Sequence, residues 1–144
     1  MFFSHLVLLV EGPTEHMLFN YLFDTSQIEM PTGGVFVLDC LGKFNIHRFM
    51  NILGPLKVRH AVLFDEDNKK APHEKVRQLI EASRNDYTGK IDTFPDDIEA
   101  FLGIEKSKKA HRKPQHLMFK LQEGKIEEEK LQSLIEKVQG LIEI

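Results

Sequence analysis

The stretch Val62-Leu63-Phe64-Asp65-Glu66-Asp67-Asn68 drives an apolar run straight into two carboxylates two residues apart. A short apolar run bounded by turn-forming acids reads as a strand covered on both faces, the kind found in parallel sheets. The same reading fits Leu6-Val7-Leu8-Leu9-Val10, which runs into Glu11-Gly12-Pro13-Thr14-Glu15. Outward from these two, apolar runs alternate with amphipathic segments. Strands are expected at about residues 5–10, 34–39, 59–64 and 90–94, and helices at about 13–24, 43–53 and 73–84. Val35-Phe36-Val37-Leu38 marks the second strand and Ile91-Asp92-Thr93-Phe94 the fourth. All but the fourth are continuous apolar runs and are expected to be covered on both sides. Val76, Leu79 and Ile80 fall at helical spacing, and Pro13 sits where a first helical turn accepts it. The alternation predicts an α/β fold of about four mostly parallel strands flanked by helices.

After Phe94 the pattern changes. Asp96-Asp97-Ile98-Glu99-Ala100-Phe101-Leu102-Gly103 reads as a short helix with acids in its first turn and a glycine stop. Asp96 and Asp97 are expected to cap it, with Asp97 a reserve ligand. The basic run Lys106, Lys108, Lys109, His111, Arg112 and Lys113 precedes Pro114, which opens a helix through Leu121. An additional C-terminal helix, about Glu127 to Ile142, carries Leu131, Leu134, Ile135, Val138 and Leu141 on one stripe and is expected to pack on the domain or on a partner. There is no internal repeat or long linker, and 144 residues suit one domain over 1–144.

Composition excludes several classes. The single Cys40 cannot build a disulfide framework or a thiolate metal site, and reads as a small buried hydrophobe in a reducing cytoplasm. Met1-Phe2-Phe3-Ser4-His5 lacks a basic leader, and the next apolar stretch meets Glu11 long before it spans a bilayer, so neither secretion nor a membrane anchor is expected. The seven histidines show no HExxH or paired zinc spacing and are expected on the surface or in packing. The eleven phenylalanines are expected mostly in the core rather than stacked on bases. A formal net charge of −3 exerts no global pull on a polyanion, so nucleic-acid contact requires a local cationic patch. Lys108, Lys109, Arg112 and Lys113 form the candidate patch, with a solvated charge run as the plainer reading. Lys43 after Gly42 can touch phosphate, but the pair without preceding glycines is no phosphate-binding loop, and surface exposure is the simpler reading.

In open parallel sheets, ligands collect at the carboxyl ends of strands, and both acidic stretches lie there. Asp65 and Asp67 can present oxygens to one hard cation; Glu11 and Glu15, four apart, share a helix face. Such a cation stabilises charge on a phosphoryl group and acidifies water, and a second one close by clamps attacking and leaving oxygens. The bland alternatives are a solvated turn for Asp65-Glu66-Asp67 and an exposed, dipole-favoured first-turn acid for Glu15. Glu11 resists such a reading because it ends a buried strand and precedes Gly12, which lets the backbone approach a ligand or turn sharply.

Taken in order, Leu8-Leu9-Val10-Glu11-Gly12-Pro13-Thr14-Glu15, Gly42-Lys43-Phe44-Asn45-Ile46, Leu63-Phe64-Asp65-Glu66-Asp67, Ile98-Glu99-Ala100-Phe101-Leu102 and Lys113-Pro114 cover most of the chain. The set resembles the Toprim domain, a Rossmann-like fold, in the version found in OLD (overcoming lysogenization defect) family nucleases. The resemblance implies that Glu11 is the Toprim glutamate and that Asp65 and Asp67 are its metal-binding pair. Glu15 looks like the additional acid that completes a two-metal site with Glu11, and Glu99 like the later acid after the fourth strand. Lys113 resembles the basic residue that approaches the scissile phosphate. The family's ABC-type ATPase is not represented: the chain has no Walker A motif and no room for that domain, so it stands as a small protein, a truncated product or the C-terminal part of a larger ATPase-nuclease.

The resemblance implies a DNA endonuclease or nickase that uses Mg²⁺ or Mn²⁺, two ions in all, held by Glu11, Glu15, Asp65, Asp67 and Glu99. Glu11 is either ligand or general base. Alternatives are a primase- or topoisomerase-type Toprim domain and a non-catalytic interaction module in a DNA-repair or defence complex. A topoisomerase needs a nucleophilic tyrosine, and only Tyr21 and Tyr87 are present. A phospho-receiver domain would carry its acid pair after the first strand, whereas the DxD here follows the third.

Overall fold

Leu6–Val10 (β1) and His60–Asp65 (β3) are buried along their whole length, which places them at the centre of a sheet. Val35–Asp39 (β2) and Thr88–Phe94 (β4) are only partly covered and form its edges. The computed structural model describes residues 6–66, 71–105 and 113–143. Within them the strand order is β2-β1-β3-β4 and every pairing is parallel. One expectation needs correction: β2 is not covered on both sides, and its Phe36 is 53% exposed. An apolar run reports that a strand meets a core, not how many neighbours it has.

The helices are Pro13–Asp24 (α1), Ile46–Leu53 (α2), Ala71–Ala82 (α3), Ile98–Leu102 (α4), Lys113–Gln122 (α5) and Glu128–Ile142 (α6). The expected segment 43–53 is divided, its first three residues Lys43–Asn45 forming a 3-10 turn. Gly103 stops α4 in a left-handed conformation, as the glycine there predicts.

Side chains alternate across each strand, and this sorts the core into two layers. Leu6, Leu8, Val10 and Leu63 face α1, α4, α5 and α6 through Phe19, Ile98, Leu117 and Leu134. Val7, Leu9, Val62 and Phe64 face α2 and α3 through Ile46, Met50, Val76 and Ile80. The layering follows from the strand order. Right-handed crossovers put the β1-to-β2 helix on one face and the β2-to-β3 helix, which travels the other way, on the opposite face. The order therefore reverses between β1 and β3, which opens a crevice at their carboxyl ends.

The stripe on α6 packs on the domain. Leu134, Val138 and Leu141 are buried, Lys137 Nζ lies 3.0 Å from Asp92 Oδ2, and the Gln139 amide brackets the backbone of Glu29 at 3.1 and 3.2 Å. His60 is fully buried, donating from Nδ1 to Val58 O at 3.0 Å and accepting at Nε2 from Thr88 Oγ1 at 2.8 Å. Burial lowers its pKa and keeps it neutral. Cys40 is fully buried and its thiol is pushed up to about 12, by burial first and then by the charge of Asp39. It is an inert packing residue, as expected. Phe36, Phe44 and Phe119 depart from the expectation of core phenylalanines and are exposed. No helix among the described residues is long and apolar enough to cross a membrane.

Candidate functional site

The register of β1 and β3 sets two acids side by side. Val10 lies opposite Leu63, so Glu11, one residue past β1, and Asp65, the last of β3, reach the same edge of the sheet. The Asp65 backbone N–H donates to Glu11 Oε2 at 3.0 Å. On its other side, the Glu11 carbonyl accepts from the Gly42 N–H at 2.7 Å. Glu11 is thus held from both neighbouring strands, its carboxylate over β3 and its backbone against the turn after β2.

Behind these acids lies a cavity of about 270 Å³, lined by Glu11, Glu15, Asp65, Glu99 and Lys113 together with Gly12, Pro13, Thr14, Leu41 and Gly42. Glu15 projects into it from the first turn of α1 and is only 6% exposed. The reading of Glu15 as a solvent-exposed first-turn acid is therefore ruled out. Burial raises its pKa from 4.5 to about 8; hydrogen bonds from its own and Gly12's N–H pull downward, and the charges of Glu11 and Glu99 push further up. Glu99 is buried in the first turn of α4. Lys113 begins α5 and brings the one cation of the lining.

Asp97 caps α4, its Oδ1 accepting from the Ala100 N–H at 2.8 Å, as the capping expectation has it. Its removal should loosen the short helix that carries Glu99. Asp97→Ala is expected to cost about 1 kcal/mol of stability in urea denaturation and to weaken divalent-cation binding a few-fold, while Asp97→Asn, which still caps, stays near wild type in both. Equal cation affinity in all three proteins would show that α4 does not position Glu99 for that task.

One expectation is revised. Gly12 is extended (φ −161°), a conformation open to any residue, and a β-carbon there would meet only Glu15 Oε2 at 3.9 Å. It neither turns the chain sharply nor relieves a close contact. Lys43 follows Gly42 but does not line the cavity. Asp67, and Lys108, Lys109 and Arg112 of the basic run, lie outside the described residues, as do Lys106 and His111. Sequence reasoning passed over two lining residues, the buried Thr14 and the exposed Leu41. The signal for Leu41 is slight: Asp39 two residues before it makes an Asx turn, with Asp39 Oδ1 accepting the Leu41 N–H at 2.8 Å.

Among the described residues, no group of three or more His, Cys, Asp or Glu side chains is already arranged to hold one metal ion. The chemistry of the donors nevertheless fits a hard divalent cation. They are carboxylate oxygens without sulfur or imidazole, converging on one cavity, and the pKa of one of them, Glu15, is raised first by burial and then by the charges of Glu11 and Glu99. A wider depression of about 590 Å³ beside Glu29, Pro31 and Gln139 lacks that convergence.

The Overcoming lysogenization defect protein-like Toprim domain family matches residues 2–67, the segment that runs from β1 through β3 and supplies Glu11, Glu15 and Asp65. Over that segment the chain is similar to an OLD-like Toprim domain. Its fold is similar to that of the C-terminal region of the Xanthomonas campestris pv. campestris OLD protein, with a TM-score of 0.50 and 19% identity over 97% of this chain and 73% of that one. It is equally similar to the C-terminal region of the Burkholderia pseudomallei OLD protein, with a TM-score of 0.50 and 21% identity over 95% of this chain and 83% of that one. No curated protein matches the chain in sequence. The OLD-like Toprim match ends at the third strand, so Glu99 and Lys113 enter through the cavity they line.

Proposed function

We propose that this chain is a metal-dependent DNA endonuclease that nicks or cuts by hydrolysing phosphodiester bonds. The observation that carries the reading is the 3.0 Å link between the Glu11 carboxylate and the Asp65 N–H, which fixes acids from two strands at the crevice where the strand order reverses. Glu11, Glu15, Asp65 and Glu99, with Asp67, would hold Mg²⁺ or Mn²⁺, in two positions. When bound, such ions acidify water and neutralise charge growing on a phosphoryl group. A cation held there would offset the burial and the charges of Glu11 and Glu99 that raise the Glu15 pKa, and Glu15 would then ligate as a carboxylate. Lys113 presents its ammonium to the phosphate from the cavity wall, and Glu11 orients water or accepts its proton from the same position. Lys43, Lys108, Lys109 and Arg112 would steer the DNA backbone, and an ABC-type ATPase domain or subunit is the partner the family resemblance implies. Strand transfer through a tyrosine is disfavoured: neither Tyr21, on α1, nor Tyr87, before β4, lines the acid cavity.

The test is incubation of supercoiled plasmid with the protein and Mg²⁺ or Mn²⁺. Wild type is expected to convert plasmid to nicked circles, and Asp65→Ala to lose at least about 100-fold of that rate. Wild-type protein that binds the cations yet leaves plasmid intact would replace this reading with that of a non-catalytic interaction module.

A further inference from the structure

Leu41 stands at the rim of the acid cavity in a backbone conformation that a leucine avoids. Its φ is +60°, where a β-carbon crowds the following carbonyl. Ser26 and Lys57 share that φ, but both lie in the turns that follow α1 and α2, where a left-handed residue is ordinary. Leu41 follows a strand. It is held there from several sides: its N–H donates to Asp39 Oδ1 at 2.8 Å and its carbonyl accepts from Asn45 Nδ2 at 3.1 Å. The next N–H, that of Gly42 (φ +122°), donates to the Glu11 carbonyl at 2.7 Å. The turn that strains Leu41 is therefore fastened to the first acid of the site. What it displays is an apolar side chain that is 77% exposed, the most open large hydrophobe among the described residues. Phe44, three residues on, is 45% exposed.

Strain that neighbouring groups over-determine, at the mouth of a polar cavity, is a mark of function. We propose that Leu41 is a positioning residue that packs against an unstacked nucleoside flanking the phosphate, so that the site takes strands whose bases are open. The inference rests on the phosphodiester-binding part of the reading above. With a phosphate in the acid cavity, the apolar surfaces within reach of the rim are sugar C–H edges and base faces. In a stacked duplex the base faces are covered. At a single strand, gap, flap or frayed end they are open, and an aliphatic wedge gains most from meeting them.

The test uses wild type, Leu41→Asn and Leu41→Met with Ca²⁺, binding oligonucleotides that carry 2-aminopurine, either single-stranded or fully paired. Asparagine tolerates the left-handed conformation, so Leu41→Asn should melt at or above the wild-type temperature; methionine keeps the apolar reach. Leu41→Asn is expected to bind the single strand about tenfold more weakly and to lose the fluorescence change of the base, with the preference for single over paired strands shrinking by the same factor. Leu41→Met should stay within about twofold of wild type. Unchanged binding by Leu41→Asn, or equal losses in both variants, would overturn the inference. Wild type that binds open strands through Leu41 but never cuts would sink the endonuclease reading alone; wild type that binds no strand would remove both.

Discussion

Glu11→Gln is expected to abolish metal-dependent nicking while leaving the fold intact. The glutamine carbonyl still accepts the Asp65 N–H that Glu11 Oε2 accepts at 3.0 Å, so the link between the two strands survives. What is lost is the charge. A neutral amide neither balances a divalent cation nor takes a proton from water, and the rate should fall about 10³-fold, or roughly 4 kcal/mol in barrier. Glu11→Ala should lose the same activity and also stability, by about 1–3 kcal/mol, because the Asp65 N–H is then left without its acceptor. Plasmid nicking and urea denaturation of the three proteins separate the two roles. A glutamine variant that nicks at the wild-type rate would remove Glu11 from the chemistry and leave it a structural clamp.

The second large effect lies in pH. With its pKa raised to about 8 by burial and by its acidic neighbours, Glu15 is largely protonated at pH 7 in the metal-free protein. Folded Glu15 thus holds its proton more tightly than the unfolded chain, whose value is 4.5. The stability this contributes is fully present below pH 4.5 and is lost as pH rises through about 8. Cation binding must expel that proton. Mg²⁺ or Mn²⁺ affinity should therefore tighten by up to about tenfold per pH unit below 8, levelling above it, and calorimetry in buffers of different ionisation enthalpy should register proton release at pH 7. Glu15→Gln should flatten both the affinity slope and the stability slope. An unchanged slope in that variant would assign the proton to another group.

Much of this was legible in the residues. The unbroken apolar runs of β1 and β3 announced strands covered on both faces, and the acids that end them announced the crevice. Pro13 and Gly103 punctuated their helices as their backbone constraints require. The partial exposure of β2 was not legible, because Val35-Phe36-Val37-Leu38 has the same composition whether one neighbour covers it or two. Nor was the burial of Glu15: a first-turn acid ordinarily faces water, and the charge of Glu99, eighty-odd residues along the chain, bears on it only in the folded molecule. Leu41 was hidden for a related reason. Its conformation is imposed by side chains at Asp39 and Asn45 and by a backbone contact to Glu11, none of which leaves a periodic trace. The roles expected of Glu99 and Lys113 came from family resemblance, and the cavity they share with Glu11 is what joins that expectation to physical chemistry.

The bond between Glu11 and Asp65 spans a sequence separation of 54 residues. Closing a loop of that length is entropically unfavourable until the parallel pairing of the two central strands is complete, so the bond forms late, with the high-contact-order part of the topology. In an unfolded or nascent chain the same carboxylates are strung along a coil and bind cations only singly and weakly. The convergence of these carboxylates is accordingly an attribute of the finished architecture rather than of any fragment. An ion that binds there stabilises the whole cooperative unit by mass action rather than stiffening one loop.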